Sequence, residues 1–132
     1  MTQPITGEQI DHVVARFYAR VRVHPVLGPV FNGRIAPEAW PAHEDKISRF
    51  WRNVILQERN YHGFPMRTHL QTPELKAPMF ADWLGLFDEV LREELPQDVA
   101  EAWSGIAHRI GKGMRIGVAD RDADKDAVPS LF

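Results

Sequence analysis

The 132 residues, 44% of them hydrophobic, suffice for one ordinary domain with a single substantial core. A formal charge of −2 and a pI near 6.3 supply no basic field of the kind that neutralises phosphates, which argues against nucleic acid or an anionic membrane as partner. There is no cysteine, so disulfides, thiolate zinc sites, iron–sulfur clusters and cysteine nucleophiles are excluded, and metal chemistry is left to His, Asp, Glu and Tyr.

The N-terminal MTQPITGEQIDH lacks the basic start and apolar run of a signal peptide, and no stretch approaches the roughly 20 apolar residues of a membrane span. A soluble, cytoplasmic protein is expected. Thr6 and Gln9 have capping-box spacing, and Ile10, Val13, Val14, Phe17 and Val21 recur at helical intervals, which predicts a helix over 7–23. Pro25, Gly28 and Pro29 then break it. The corner HPVLGPVFNGRI is expected to pack into the core, since Val26, Leu27, Val30 and Phe31 are too apolar for a free loop. Pro37 suits the first turn of a second helix reaching about Gln57, with a stripe of Trp40, His43, Ile47, Phe50 and Val54 and an adjoining face of Trp51 and Ile55. One imidazole among large hydrophobes needs a partner, a metal or a ligand, because an unpaired buried polar group costs about 1–3 kcal/mol. On spacing alone His43 reads as a satisfied core histidine or, less commonly, as a ligand.

ERNYHGFPMRTHLQTPELKAP is irregular, with Gly63, Pro65, Pro73 and Pro78 leaving space for a short helical turn around Met66–Leu70 that carries His69. Connectors of this length often carry function. An amphipathic helix follows Pro78, with Met79, Phe80, Trp83, Leu84, Phe87, Val90 and Leu91, and stops near Pro96. The last predicted helix spans Gln97 to Ile116, with Val99, Trp103, Ile106, Ile110 and Met114 on one face; Gly111 and Gly113 weaken its end or allow close helix approach. The domain is expected over 1–117, with the charged residues 118–132 a frayed or disordered tail. With no period-two pattern and no repeat, the fold class is all-α.

No HExxH, paired Glu-x-x-His, GxGxxG, P-loop or GxSxG motif is present, so no zinc protease, di-iron, dinucleotide, triphosphate or serine-hydrolase site has local support. His12, His24 and His108 read as surface or edge residues, and His62 as part of a solvated turn.

Four motifs occur in unbroken order within residues 8–116: FYxxVxxxPxLGPxF at Phe17–Phe31, WxxHxxKIxxFW at Trp40–Trp51, YxGxPxxxHL at Tyr61–Leu70 and FxxWLxLF at Phe80–Phe87. Together they resemble the truncated haemoglobins, in the branch called group III, and the lack of a Gly-Gly pair agrees with that branch. The resemblance implies a two-over-two helical sandwich around haem b. It places the iron-ligating proximal histidine on His69 and the distal residues on Tyr18, His43 and Trp83. Without the resemblance Trp83 would be an ordinary core tryptophan and Tyr18 a boundary residue with its hydroxyl at the surface. Phe31, Ile47, Phe50, Trp51, Met66, Met79 and Phe80 are expected to wall the haem slot, and Tyr61 and Arg67 to reach its propionates.

The implied function is binding of a small diatomic ligand, oxygen or a related gas, at ferrous or ferric iron. One alternative is a redox enzyme, a nitric oxide dioxygenase or a peroxidase-type catalyst, which needs an external reductase because the chain has no flavin motif. Another is a haem-free globin-fold interaction or sensor module. A monomer or weak homo-oligomer is expected.

Overall fold

The computed structural model describes residues 5–58 and 74–126. Within them every regular element is helical: α1 (Gly7–Val21), α2 (Leu27–Arg34), a 3-10 turn at Pro37–Ala39, α3 (Trp40–Leu56), α4 (Met79–Glu94) and α5 (Gln97–Asp126). The helices pack chiefly as two pairs, α1 with α3 and α4 with α5, and α1 also lies on α4. His69, Tyr61, Met66 and Arg67, and the helical turn expected around them, lie outside the described residues.

The predicted cap of α1 is present: Thr6 Oγ accepts from the Gln9 amide at 3.1 Å, and the Gln9 side chain accepts from the Thr6 amide at 2.9 Å. Each pairs a donor that a helix start otherwise leaves open. The helix buries Ile10, Val13, Val14, Phe17 and Val21 as its periodicity predicts, and Tyr18 as well. Arg20 reaches Glu89 and Glu93 on α4, while Arg52 on α3 reaches Asp11 on α1. These exposed ion pairs add little stability, so the apolar interior holds the pairs together.

The corner after α1 is itself helical rather than irregular. His24 turns the chain, its Nδ1 accepting the amides of Val26 and Leu27 at 3.1 Å each, and so caps α2. Leu27 is fully buried, but Val26 is exposed, contrary to the expectation that the whole apolar run packs inward. Inward packing is confined to the face carrying Leu27 and Phe31, four residues apart. A Cβ on Gly28 would lie 3.0 Å from the Arg22 carbonyl oxygen and 3.3 Å from that of Val21, so any larger residue there would have to push the end of α1 back by a few tenths of an ångström.

Helix α3 begins after the 3-10 turn with proline in its first turn and ends at Gln57, which takes left-handed geometry at φ 59°. Its apolar stripe divides: Trp40 and Trp51 are buried in the core, whereas Ile47 and Phe50 are only partly covered. Helix α5 departs most from expectation, continuing to Asp126 instead of stopping near Ile116. Val118 is wholly buried in a second apolar cluster with Leu75 and Phe80. Burying such a side chain stabilises by about 1.5–3 kcal/mol, enough to carry the helix through a segment whose composition reads as a tail.

Candidate functional site

The partly covered residues of α3 face a cavity of about 350 Å³ enclosed by α1, α2, α3, α4 and α5, within the size range of small-molecule sites. Tyr18, His43 and Trp83, which lie far apart in sequence, all line it. So do six of the expected wall residues, Phe31, Ile47, Phe50, Trp51, Met79 and Phe80. The seventh, Met66, lies outside the described residues.

The rings fix one another. Tyr18 and His43 meet edge to face, centroids 5.2 Å apart at 86°, and Trp40 packs on His43 in the same manner at 5.4 Å. Trp83 stacks on Phe87 at 5.1 Å and 12°, and Phe17 closes its edge at 5.3 Å. Phe17 also touches Tyr18 at 5.0 Å, so one buried phenylalanine sets the spacing of Tyr18 and Trp83. Contacts of this geometry contribute about 0.5–1.5 kcal/mol each beyond area burial.

Burial pushes the Tyr18 phenol well above the ordinary tyrosine range, and the charge of Glu44 pushes it further, so at neutral pH it is a hydroxyl donor. Burial also holds the His43 imidazole below the usual histidine value, with the Lys46 ammonium acting in the same direction. His43 is therefore neutral at neutral pH. Glu44 is raised by burial, against the opposing pull of Arg22, whose guanidinium lies 4.9 Å from the Trp40 ring centroid.

The Nε2 atom of His43 is buried without a hydrogen-bond partner among the described residues. A satisfied core histidine would not leave it so, because the cost is about 1–3 kcal/mol. An orphaned imidazole nitrogen in an apolar cavity fits a site built for a bound group. The wall chemistry fits a flat macrocycle with carboxylate arms: aromatic and aliphatic side chains form most of the lining, and two cations, Arg34 and Lys46, join it. Arg34 is paired with Glu74 at 3.0 Å. Lys46 makes no ion pair among the described residues.

Sequence reasoning did not find Leu27, Arg34, Ile35, Lys46, Leu75, Ile110, Gly111 and Met114 as lining residues. Gly111 and Gly113 were expected to weaken the helix end or to allow close approach: a Cβ on Gly111 would meet Leu84 at 3.1 Å, one on Gly113 would meet nothing within 4 Å, and the helix continues through both. The other described histidines have local duties. His12 pairs with Glu94, and His108 Nε2 meets Asp88 Oδ2 at 2.7 Å.

A larger groove of about 730 Å³ lies between α4 and α5 and is more open to solvent. Several of its polar groups pair with one another: Ser104 Oγ donates to Asp88 at 2.6 Å beside the His108 contact, and Gln97 donates to Glu101 at 3.1 Å. Of the two buried side-chain atoms without a partner among the described residues, His43 Nε2 belongs to a residue lining the aromatic cavity, and Trp103 Nε1 to a residue lining neither pocket. Among the described residues no group of three or more metal-ligating side chains is placed to hold a bare ion, and no helix is long and apolar enough to cross a membrane.

No family model matches the chain. A group 3 truncated hemoglobin of Campylobacter jejuni is 38% identical over 91 residues, covering 67% of this chain and 72% of that protein. The chain belongs to the group III truncated haemoglobins. The crystal structure of a group III truncated hemoglobin from Campylobacter jejuni matches with a TM-score of 0.83 and 31% identity, over 89% of this chain and 95% of that one. The two helix pairs of this truncated haemoglobin are thus the two-over-two sandwich that the motifs imply. As a member of the family it is a haem protein that binds diatomic ligands at an iron centre, and membership implies haem b as the cofactor.

Proposed function

We propose that this truncated haemoglobin holds haem b in the aromatic cavity through His69, and that Tyr18, His43 and Trp83 hydrogen-bond a diatomic ligand there. The observation that carries the reading is the buried His43 Nε2, without a partner among the described residues, beside Tyr18 on a mostly apolar wall. Bound haem supplies the iron at which the gas coordinates. The chain supplies the rest.

The Tyr18 hydroxyl stays protonated and donates, and the ring stack on Phe87 fixes the Trp83 indole N–H as a second donor. In a dry cavity each such bond is stronger than in water. His43, kept neutral, offers one donor and one acceptor nitrogen and shields the ligand side from solvent. The proximal ligand, His69, comes from a segment whose sequence is flanked by Pro65 and Pro73. Lys46 joins Tyr61 and Arg67 as a partner for the propionates.

A haem-free module would have no use for His69 together with a cavity that gathers Tyr18 and Trp83, and a buried imidazole without partner would only cost it stability. The test is the absorption spectrum of purified protein titrated with haemin, for wild type and His69→Ala. Wild type should give a saturable Soret band that responds to carbon monoxide after reduction. His69→Ala should lose the haem or its five-coordinate ferrous spectrum. A wild-type spectrum in the variant would overturn the proximal assignment.

A further inference from the structure

Beyond Ile116, α5 closes on the segment that leads from Leu75 into α4. Val118 is wholly buried against Leu75 and Phe80, with Ala77, Met79 and Met114 packed around them. Arg121 crosses to the same segment, its Nη2–H donating to the Leu75 carbonyl at 2.8 Å. Its Nε–H is held by Asp122 Oδ1 at 2.9 Å, and the other Asp122 oxygen lies 3.9 Å from Lys76 Nζ. Leu75 precedes α4 and belongs to no helix, so its carbonyl lacks the partner that a regular element would supply. Arg121 provides one. Leu75, Met79, Phe80 and Met114 are all lining residues of the aromatic cavity, and Leu75 follows His69 by six positions in sequence.

We infer that residues 117–126 act as a buttress that positions the Leu75–Phe80 wall of the cofactor cavity, with Arg121 as its positioning residue. Val118 supplies the apolar seat. Arg121 sets the register, because a guanidinium bound at both Leu75 O and Asp122 holds the segment in one place along the helix. The consequence for haem rests on the function proposed above; the positioning itself rests on these contacts alone. An unpaired wall would drift on its apolar seat and hold the macrocycle less tightly.

The experiment measures amide hydrogen exchange over residues 76–80 in the protein without haem, and transfer of haem to excess apomyoglobin, in wild type, Arg121→Ala and Arg121→Lys. Global unfolding midpoints are recorded alongside. Arg121→Ala should speed both exchange and haem transfer by about tenfold, the factor expected for losing one hydrogen bond to a charged group. Arg121→Lys, which keeps a donor, should recover much of each. Local exchange that does not respond to Arg121→Ala overturns the buttress. Faster exchange with unchanged haem transfer overturns its role toward the cofactor. If wild type takes up no haem while exchange over 76–80 still responds, the haem reading fails and the buttress stands. Should Arg121→Ala not fold, Arg121→Met, which keeps the apolar stem and loses the donors, decides by the same criteria: faster exchange with faster haem transfer supports the buttress, and exchange equal to wild type overturns it.

Discussion

Replacing His43 by leucine should stabilise the protein without haem. The structure buries Nε2 with no partner among the described residues, on a wall that also carries Ile47 and Phe50. The unmet bond costs about 1–3 kcal/mol, and leucine removes that cost while adding apolar contact. With allowance for imperfect fit, the expected gain at pH 7 is about 1–2 kcal/mol. For a chain of this length that corresponds to a rise in Tm of about 4–7 °C. Urea denaturation of both haem-free proteins measures it.

The pH dependence supplies a second reading of the same substitution. Burial and Lys46 hold the folded-state value of His43 below that of the unfolded chain, so between the two the unfolded state binds more protons. Wild type therefore loses stability relative to His43→Leu as pH falls from about 6.5, by at most about 1.4 kcal/mol per pH unit, until the folded histidine also protonates. A destabilised leucine variant, or a difference between the two that does not change with pH below 6.5, would refute the burial argument.

Tyr18→Phe and Trp83→Phe should each leave haem uptake intact, and at least one should release oxygen faster, as seen by stopped-flow exchange against carbon monoxide. Unchanged rates in both would remove these side chains as ligand donors. Gly28→Ala should destabilise by about 1–2 kcal/mol, because the 3.0 Å approach to the Arg22 carbonyl outweighs the roughly 1 kcal/mol helix gain from alanine; thermal melts check it, and a more stable variant would contradict the close packing. His69→Ala should abolish the five-coordinate ferrous spectrum while leaving the far-ultraviolet circular dichroism helical.

Periodicity located the apolar faces of α1, α3, α4 and α5, because each spreads one stripe over several turns. It did not locate α2, where Gly28 and Pro29 read as breakers although His24 caps the helix from outside. Nor did it reach the end of α5, where Val118 is one apolar residue among charges and its partners, Leu75 and Phe80, lie about 40 residues earlier.

The candidate site was legible through the order of motifs, not through spacing. Helical periodicity assigns Ile47, Phe50 and Trp83 to a buried face but does not say whether that face meets core or cavity. Tyr18 shows the same limit, since one position beside the Phe17 stripe reads as a boundary until α3 brings His43 against it. Lys46 was missed because a lysine on an amphipathic helix reads as solvent-facing, and Ile110, Gly111 and Met114 because their role depends on how α5 crosses α4.

The most direct test of the account is a haemin titration of the purified wild-type protein followed by absorption in the ferric and ferrous states. One haem per chain, with a sharp Soret band that shifts on reduction and again with carbon monoxide, is the predicted result. A spectrum that stays that of free haemin, with no saturation, would contradict it.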